Sequence, residues 1–534
     1  MKRPSLRYQL RDSESIGEVV TALAAQFQLA SGPEKITRHT LHDSFDWRLF
    51  QAGMQLDELS GQGHHALTLR KLADDAAYQT IPLDGPVAGF FQAYPLGLLR
   101  ERLAATLQMR TLLPQVEIRR RERLLRLLDS EQKTVLRIAL QEQDARPPGR
   151  GEYRPMAVLL RLLPVRGYTK PLQQVSRFLA DSLGLQSQSD PLISLALSAI
   201  DRRPLDYSSR LDINLQPEMP ACEVARQIHR ILLATLEANL PGTRADLDSE
   251  FLHDLRVAVR RTRSALSQIK GVFPEVEVEK YKERFTWIGQ LTGPTRDLDV
   301  YLLGFDDYRN SLPERYRPDL DPLQDFLLAH QKIEQRAMVR KLNSPHFHTL
   351  LKEWRGFLLT PSDSAEAGPH AHKPISKVAA KRIYSTFRRV LEEGLAIHAH
   401  SPPEALHELR KNCKKLRYLL EFFQSLYPGE QIKTLIKSLK GLLDNLGDYQ
   451  DLEVQADKLR EFAHQMVVEG AVPADTLLAM GMLVDGLLKR QQESRLMFAD
   501  RFARFASPEQ VTAYETLFGQ GRKSSKNASP AGER

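Results

Sequence analysis

The chain has 534 residues but two cysteines, Cys222 and Cys413. Two thiols cannot build a disulfide framework or a cysteine-ligated zinc site, and so sparse a supply suits a reducing compartment. Long apolar runs are missing too: no stretch of about 18 apolar residues occurs, so no membrane-spanning helix and no membrane partner are expected. The opening MKRPSLRYQLRDSES leads into no apolar segment, so no secretory leader is expected there and the cytoplasm is the expected compartment. Aromatic residues are 7% of the chain. Few fall in the most basic segments, which leaves little for base stacking. Zinc-finger, helix-turn-helix and RNP-type patterns are absent, so no specific nucleic-acid partner is expected. Nor does one sign of charge dominate. Lys and Arg number 75 against 67 Asp and Glu, a net +8 that says little until its distribution is considered.

That distribution is uneven. The segment His253-Asp254-Leu255-Arg256-Val257-Ala258-Val259-Arg260-Arg261-Thr262-Arg263 holds four arginines against one acid. A second copy lies 154 residues later, His407-Glu408-Leu409-Arg410-Lys411-Asn412-Cys413-Lys414-Lys415-Leu416-Arg417, with five basic residues against one acid. The register persists downstream: Pro274 meets Pro428, Gly293 meets Gly447, and Asp297-Leu298-Asp299-Val300 meets Asp451-Leu452-Glu453-Val454. A duplicated unit that keeps its histidine and its cations points to a symmetric basic site, and hence to an anionic ligand.

Around these copies the chain has two textures. Residues 1–200 read as an α+β domain. Strands are expected at His65–Leu72, Glu117–Arg126, Thr134–Leu140 and Met156–Pro164, and helices at Ile16–Leu29 and Leu172–Leu183. Residues 201–220, with Pro204, Pro217 and Pro220, read as a linker. Helical apolar spacing then dominates two repeats, 221–360 and 375–510, joined by a polar linker at 361–374. The Lys/Ser/Gly-rich stretch 519–534 reads as a disordered tail. Asp248 or Ser249 should start the first motif helix. Ser401, Pro402 and Glu404 should start the second through a capping box. Each helix is expected to run about 22–25 residues, roughly 35 Å.

At about 100° per residue, offsets +3, +7 and +10 from the histidine fall at about 300°, 340° and 280°. His253, Arg256, Arg260 and Arg263 therefore share one face, as do His407, Arg410, Lys414 and Arg417, while Arg261 and Lys415 sit to one side. The apolar residues Leu252, Leu255, Val259 and Leu266 flank this stripe rather than oppose it. A cationic row at the edge of a buried face should line a groove between helices, where each charge acts more strongly on a ligand. Lys411 belongs to the second copy, and Lys381, Arg388 and Lys437 lie on neighbouring helical stretches that could join it. Several fixed cations in two rows suit a long, repetitive polyanion, because Arg and Lys both bind phosphate oxygens. The competing reading is a solvated charged face laced with salt bridges. The acidic pairs Asp297/Asp299 and Asp451/Glu453 allow two roles, orienting the cations or holding a metal.

These residues resemble the CHAD family, the conserved-histidine α-helical domain. The matching features are the two His-x-x-Arg-x-x-x-basic-basic-x-Arg copies and the Arg296-Asp297-Leu298-Asp299-Val300 string, over roughly residues 215–505. The resemblance implies two helical bundles related by pseudo-twofold symmetry, a basic central channel, no cofactor, and binding of inorganic polyphosphate on cytoplasmic granules. It would make His253, Arg256, Arg260, Arg261, Arg263, His407, Arg410, Lys411, Lys414, Lys415 and Arg417 the binding residues. The second repeat departs at Gln450, which stands where the first has Arg296. The N-terminal part is similar to a degenerate CYTH domain, an antiparallel β-barrel forming a triphosphate tunnel. The similarity lies in His42-Asp43-Ser44-Phe45-Asp46-Trp47-Arg48-Leu49, Leu67-Thr68-Leu69-Arg70 and the late strands. That family opens on a Glu-x-Glu-x-Lys strand. Here Arg7-Tyr8-Gln9-Leu10-Arg11 stands in its place, and Asp57 occupies a position expected to carry a tunnel arginine. Without that carboxylate clamp, two-metal phosphoryl chemistry loses its support, and a non-catalytic protein is expected. Metal-dependent triphosphate hydrolysis and nucleic-acid binding are the alternative functions; oligomeric state stays open.

Overall fold

The computed structural model describes residues 6–10, 15–61, 63–360, 368–470 and 472–519. Residues 361–367 of the expected linker, the tail from 520 onward and Arg11 lie outside the described residues. The chain divides into two units, Met1–Ser209 and Arg210–Arg534.

The first unit is built on antiparallel pairing. Its strands are β1 (Leu6–Gln9), β2 (Leu29–Asp43), β3 (Met54–Gly61), β4 (His64–Lys71), β5 (Ala77–Pro82), β6 (Leu113–Leu128), β7 (Thr134–Arg146), β8 (Arg154–Pro155), β9 (Leu159–Pro164) and β10 (Gln186–Ser187). The long β6–β7 ladder follows from alternating charge. Arg119 faces Asp144, Arg121 faces Glu142 and Glu117 faces Arg146, with ion pairs at 2.7, 2.9 and 2.7 Å. The order is β10-β1-β9-β7-β6-β2-β3-β4-β5, with β8 beside β7. The expected barrel is therefore an open sheet among the described strands. Closure needs two edges able to pair, and one edge here is the two-residue β10. The expected helix at Ile16–Leu29 stops at Gln26, and the next element is the unforeseen 15-residue β2. Gly32 and Pro33 interrupt its pattern in sequence, but a register shift between Ser31 and Glu34 absorbs them while β2 pairs with β6.

The second unit is all helix, and the 154-residue register governs it. Ala221–Arg244 corresponds to Ile375–Leu395, the first motif helix Ser249–Gln268 to the second, Pro403–Phe423, and Asp321–Leu342 to Ala474–Leu496. The third position shows a difference. Glu275–Leu291 and Gly293–Leu303 are separate helices, whereas Gly429–Val468 runs unbroken. Pro294 lacks the N–H that would continue the first, and its counterpart is Asp448. The repeats meet in a reciprocal bond pair. The Ala221 N–H donates to the Lys373 carbonyl (3.0 Å), and the Ile375 N–H donates to the Met219 carbonyl (2.9 Å). Exchanging the repeats maps this pair onto itself, the local signature of a pseudo-twofold axis. One buried core takes Leu255, Val259, Leu409 and Leu416 from both motif helices. A second joins Leu298 and Tyr301 to Leu452 and Leu459.

Asp248 caps the first motif helix, accepting from the N–H groups of Glu250 (2.9 Å) and Phe251 (3.2 Å). The capping box expected at Ser401 does not form. The helix starts after Pro402, and the Ser401 hydroxyl accepts instead from the His398 N–H at 3.0 Å. The helices are 20 and 21 residues, shorter than expected, because Pro274 and Pro428 each open the next helix instead of closing these.

Candidate functional site

The two motif helices pack on each other and bring several of their cations together. The Arg260 Nε donates to the Tyr418 hydroxyl at 2.6 Å, from one repeat to the other. Arg261 reaches Glu421 at 3.1 Å, and Arg417 meets the same carboxylate at 2.7 Å. Arg260 and Lys414 are equivalent positions, and they lie close enough to interact. Burial, then Arg410, then Arg260, push the Lys414 ammonium down to about 8, against the pull of Asp451. Lys414 has no hydrogen bond or ion pair among the described residues. Arg263 also lacks one and is exposed. The groove thus holds more positive charge than the fold neutralises.

Other members are fixed from below. The Arg256 Nη1 donates to the Gly289 carbonyl and to Thr292 Oγ1, both at 2.9 Å, where the proline break exposes these groups. Its counterpart Arg410 pairs with Asp451 at 2.8 Å. The acidic string therefore divides its work. Asp451 orients an arginine and Asp297 acts on Arg256 through charge, while Asp299 accepts from Gln331 Nε2 at 3.2 Å. Burial raises Asp299 to about 6.

The departure of Gln450 from Arg296 falls on the histidines' own partners. Arg296 Nη2 lies 3.1 Å from His253 Nδ1, and Gln450 Oε1 lies 2.6 Å from His407 Nδ1. Arginine cannot accept, so His253 Nδ1 is the acceptor and its proton sits on Nε2. Gln450 Oε1 accepts, so His407 Nδ1 carries a proton.

Not every expected residue joins the groove. Lys411 is exposed and pairs with Glu408. Arg388 is exposed and meets Glu392 at 3.5 Å, while Lys381 and Lys437 are exposed without such partners among the described residues. Arg389 on the same helix acts by charge on Lys415, and both of these stand to one side of the motif cluster, lining a separate cleft. Lys415 donates to Asn412 Oδ1 at 2.8 Å. Tyr418 and Glu421 were not anticipated. Their offsets of +11 and +14 from His407 fall at about 20° and 320°, on the basic stripe, so helical spacing already carried the signal.

The first unit handles cations differently. Asp57 is buried on β3, 2.9 Å from His39 Nδ1 and 3.4 Å from the Arg70 Nε. Burial and the charge of Arg120 hold His39 below its ordinary value. Burial works against the Asp57 carboxylate, but its cationic surroundings, Arg70 and Arg120 among them, keep it ionised. Arg120 also donates to Gln143 Oε1 at 3.2 and 3.1 Å, and Arg161 meets Asp75 at 3.0 Å. Here Arg70, Arg120 and Arg161 each find a counter-charge or an acceptor within the unit.

Residues 227–460 match the family model described as the CHAD domain. Residues 227–460 are thus identified as a CHAD domain. Two curated relatives, uncharacterized proteins from two strains of Mycobacterium tuberculosis, are each 25% identical over 296 residues, covering 53% of this chain and 52% of their own length. The chain thus spans about half the length of the curated relatives it matches. Among solved structures, the CHAD domain of the plant Ricinus communis is 23% identical, covering 58% of this chain and 96% of that one, with a TM-score of 0.43. PptA from Streptomyces chartreusis is 16% identical, covering 53% and 99%, with a TM-score of 0.40. A putative adenylyl cyclase from Hippeastrum, described as having a dominant triphosphatase activity, is 11% identical, covering 39% and 100%, with a TM-score of 0.26.

Proposed function

We propose that this CHAD domain binds inorganic polyphosphate in the groove between its motif helices, without chemistry on the polymer, at polyphosphate granules in the cytoplasm. The observation that carries the reading is the meeting of Arg260 and Lys414, equivalent residues of two repeats, in a cluster with Arg410 and Arg417. Cations that repel one another in a partly buried groove gain most from an anion that bridges them. A linear polyphosphate presents negative charge at every unit and carries no bases to read, which suits two symmetric rows with few aromatics.

The test uses the full-length protein and long-chain polyphosphate. Arg260→Glu, Arg263→Glu and Lys414→Glu together should weaken binding about a thousandfold, since each charge-assisted contact contributes about 1.5–3 kcal/mol. Affinity should also fall steeply with salt. Equal affinity for the variant and the parent would end the proposal. The enzyme reading rests on the first unit, whose β1 carries Arg7-Tyr8-Gln9 where the triphosphatase pattern requires glutamates. Phosphate release from tripolyphosphate with Mg²⁺ or Mn²⁺ would restore that reading.

A further inference from the structure

The 154-residue register breaks down chemically at one seam. In the first repeat, Ile228, Ile231, Leu232 and Ala258 pack into the core beside Phe422 of the second. The equivalent residues across the axis are Arg382, Ser385, Thr386, Asn412 and, for Phe422, Gln268. An apolar seam in one half is polar and cationic in the other. The result is a cleft of about 840 Å³, within the range of small-molecule sites. It lies between the end of the first motif helix, the start of Glu275–Leu291, the Gly368-Pro369 turn, helix Ile375–Leu395 and the second motif helix.

Five cations line this cleft, Lys270, Lys282, Arg382, Arg389 and Lys415, against the carboxylates Glu275 and Glu279. Glu279 is already paired with Lys282 at 2.7 Å. Nearby Glu393 is engaged by Asn412 Nδ2 at 2.8 Å, and Glu408 by Lys411. Arg382 is held in place through the Gln268 carbonyl (2.8 Å) and Oε1 (3.2 Å). Arg389 and Lys270 are exposed, with no ion pair among the described residues. Burial and the neighbouring Arg389 hold the Arg382 guanidinium below its ordinary value, and burial, Arg389 and Lys411 do the same to Lys415. The cleft is not the groove. Lys415 lies about 80° around its helix from His407, on the side away from Arg410, Lys414 and Arg417.

We infer that this cleft is a second anion site, one that takes a compact, multiply phosphorylated small molecule of nucleotide size. Five cations around one cleft match several phosphates at a point rather than along a line. The Ser385 and Thr386 hydroxyls and the apolar Phe273 and Val278 offer contacts for a non-phosphate body. An apolar seam asks for no polar partners, whereas the polar version leaves Arg389 and Lys270 without an ion pair among the described residues and so suits an anion.

The inference stands apart from the groove and can fail without it. Equilibrium dialysis of the full-length protein against ATP, and separately against inositol hexakisphosphate, without divalent metal, tests it. Arg389→Glu with Lys270→Glu, both exposed, should weaken binding of either probe about tenfold or more while long-chain polyphosphate affinity stays within about twofold. The groove variant should show the reverse pattern. Three results would overturn the inference: neither probe bound at millimolar concentration, probe binding indifferent to the double substitution, or polyphosphate affinity falling in parallel. The last would make the cleft an arm of the groove.

Discussion

The two units of this chain both gather arginines on one face, and they dispose of the charge in opposite ways. In the sheet, Arg70 and Arg120 surround the buried Asp57, and Arg161 has Asp75. In the helical unit, Arg260 has a neutral hydroxyl, Arg263 and Lys414 have no hydrogen bond or ion pair among the described residues, and Glu421 is shared by two arginines. The first arrangement sets the buried Asp57 and the neighbouring Asp75 among its arginines. The second stores repulsion that an anion would relieve. A count of basic residues cannot separate these cases; where the carboxylates sit does.

The sharpest way to break this contrast is charge reversal. The Arg260, Arg263 and Lys414 triple variant should lose about a thousandfold in polyphosphate affinity by calorimetric titration with little change in melting temperature. The counterpart in the sheet is Asp57→Asn, which leaves Arg70 and Arg120 uncompensated. It should destabilise the first unit by about 3 kcal/mol in denaturant unfolding and leave polyphosphate binding intact. If polyphosphate affinity falls instead, the sheet's cations are not merely structural.

Smaller effects sharpen the comparison within the groove. Lys414, pushed down to about 8, is charged below that pH and neutral above it. Affinity should therefore fall by about tenfold between pH 7 and pH 9, and Lys414→Arg, charged throughout, should flatten the profile.

The helical unit was the more legible half in sequence because a helix fixes its own neighbours. Spacing of three and four residues put Arg256, Arg260 and Arg263 on one face before any fold was known. The sheet was less legible because its partners are distant. Strand β2 looks irregular alone, and its pairing with β6, 70 residues or more away, and with β3 makes it a strand. Ser401 misled for a related reason. Its side chain had two local choices, and the paired prolines decided between them. The choice between Arg388 and Arg389 was invisible as well, since one residue along a helix turns the side chain by about 100°.

The sequence by itself determined the duplication, its 154-residue register and the cationic stripe, because these depend on residue identity and the period of a helix. Tertiary structure decided which charges stay uncompensated. It opened the barrel to a sheet, set Arg260 beside Lys414, paired the buried Asp57 with His39 and Arg70, and turned one of two equivalent seams into a charged cleft. Counter-charges come from elements far apart in the chain, and only folding brings them within reach of one another.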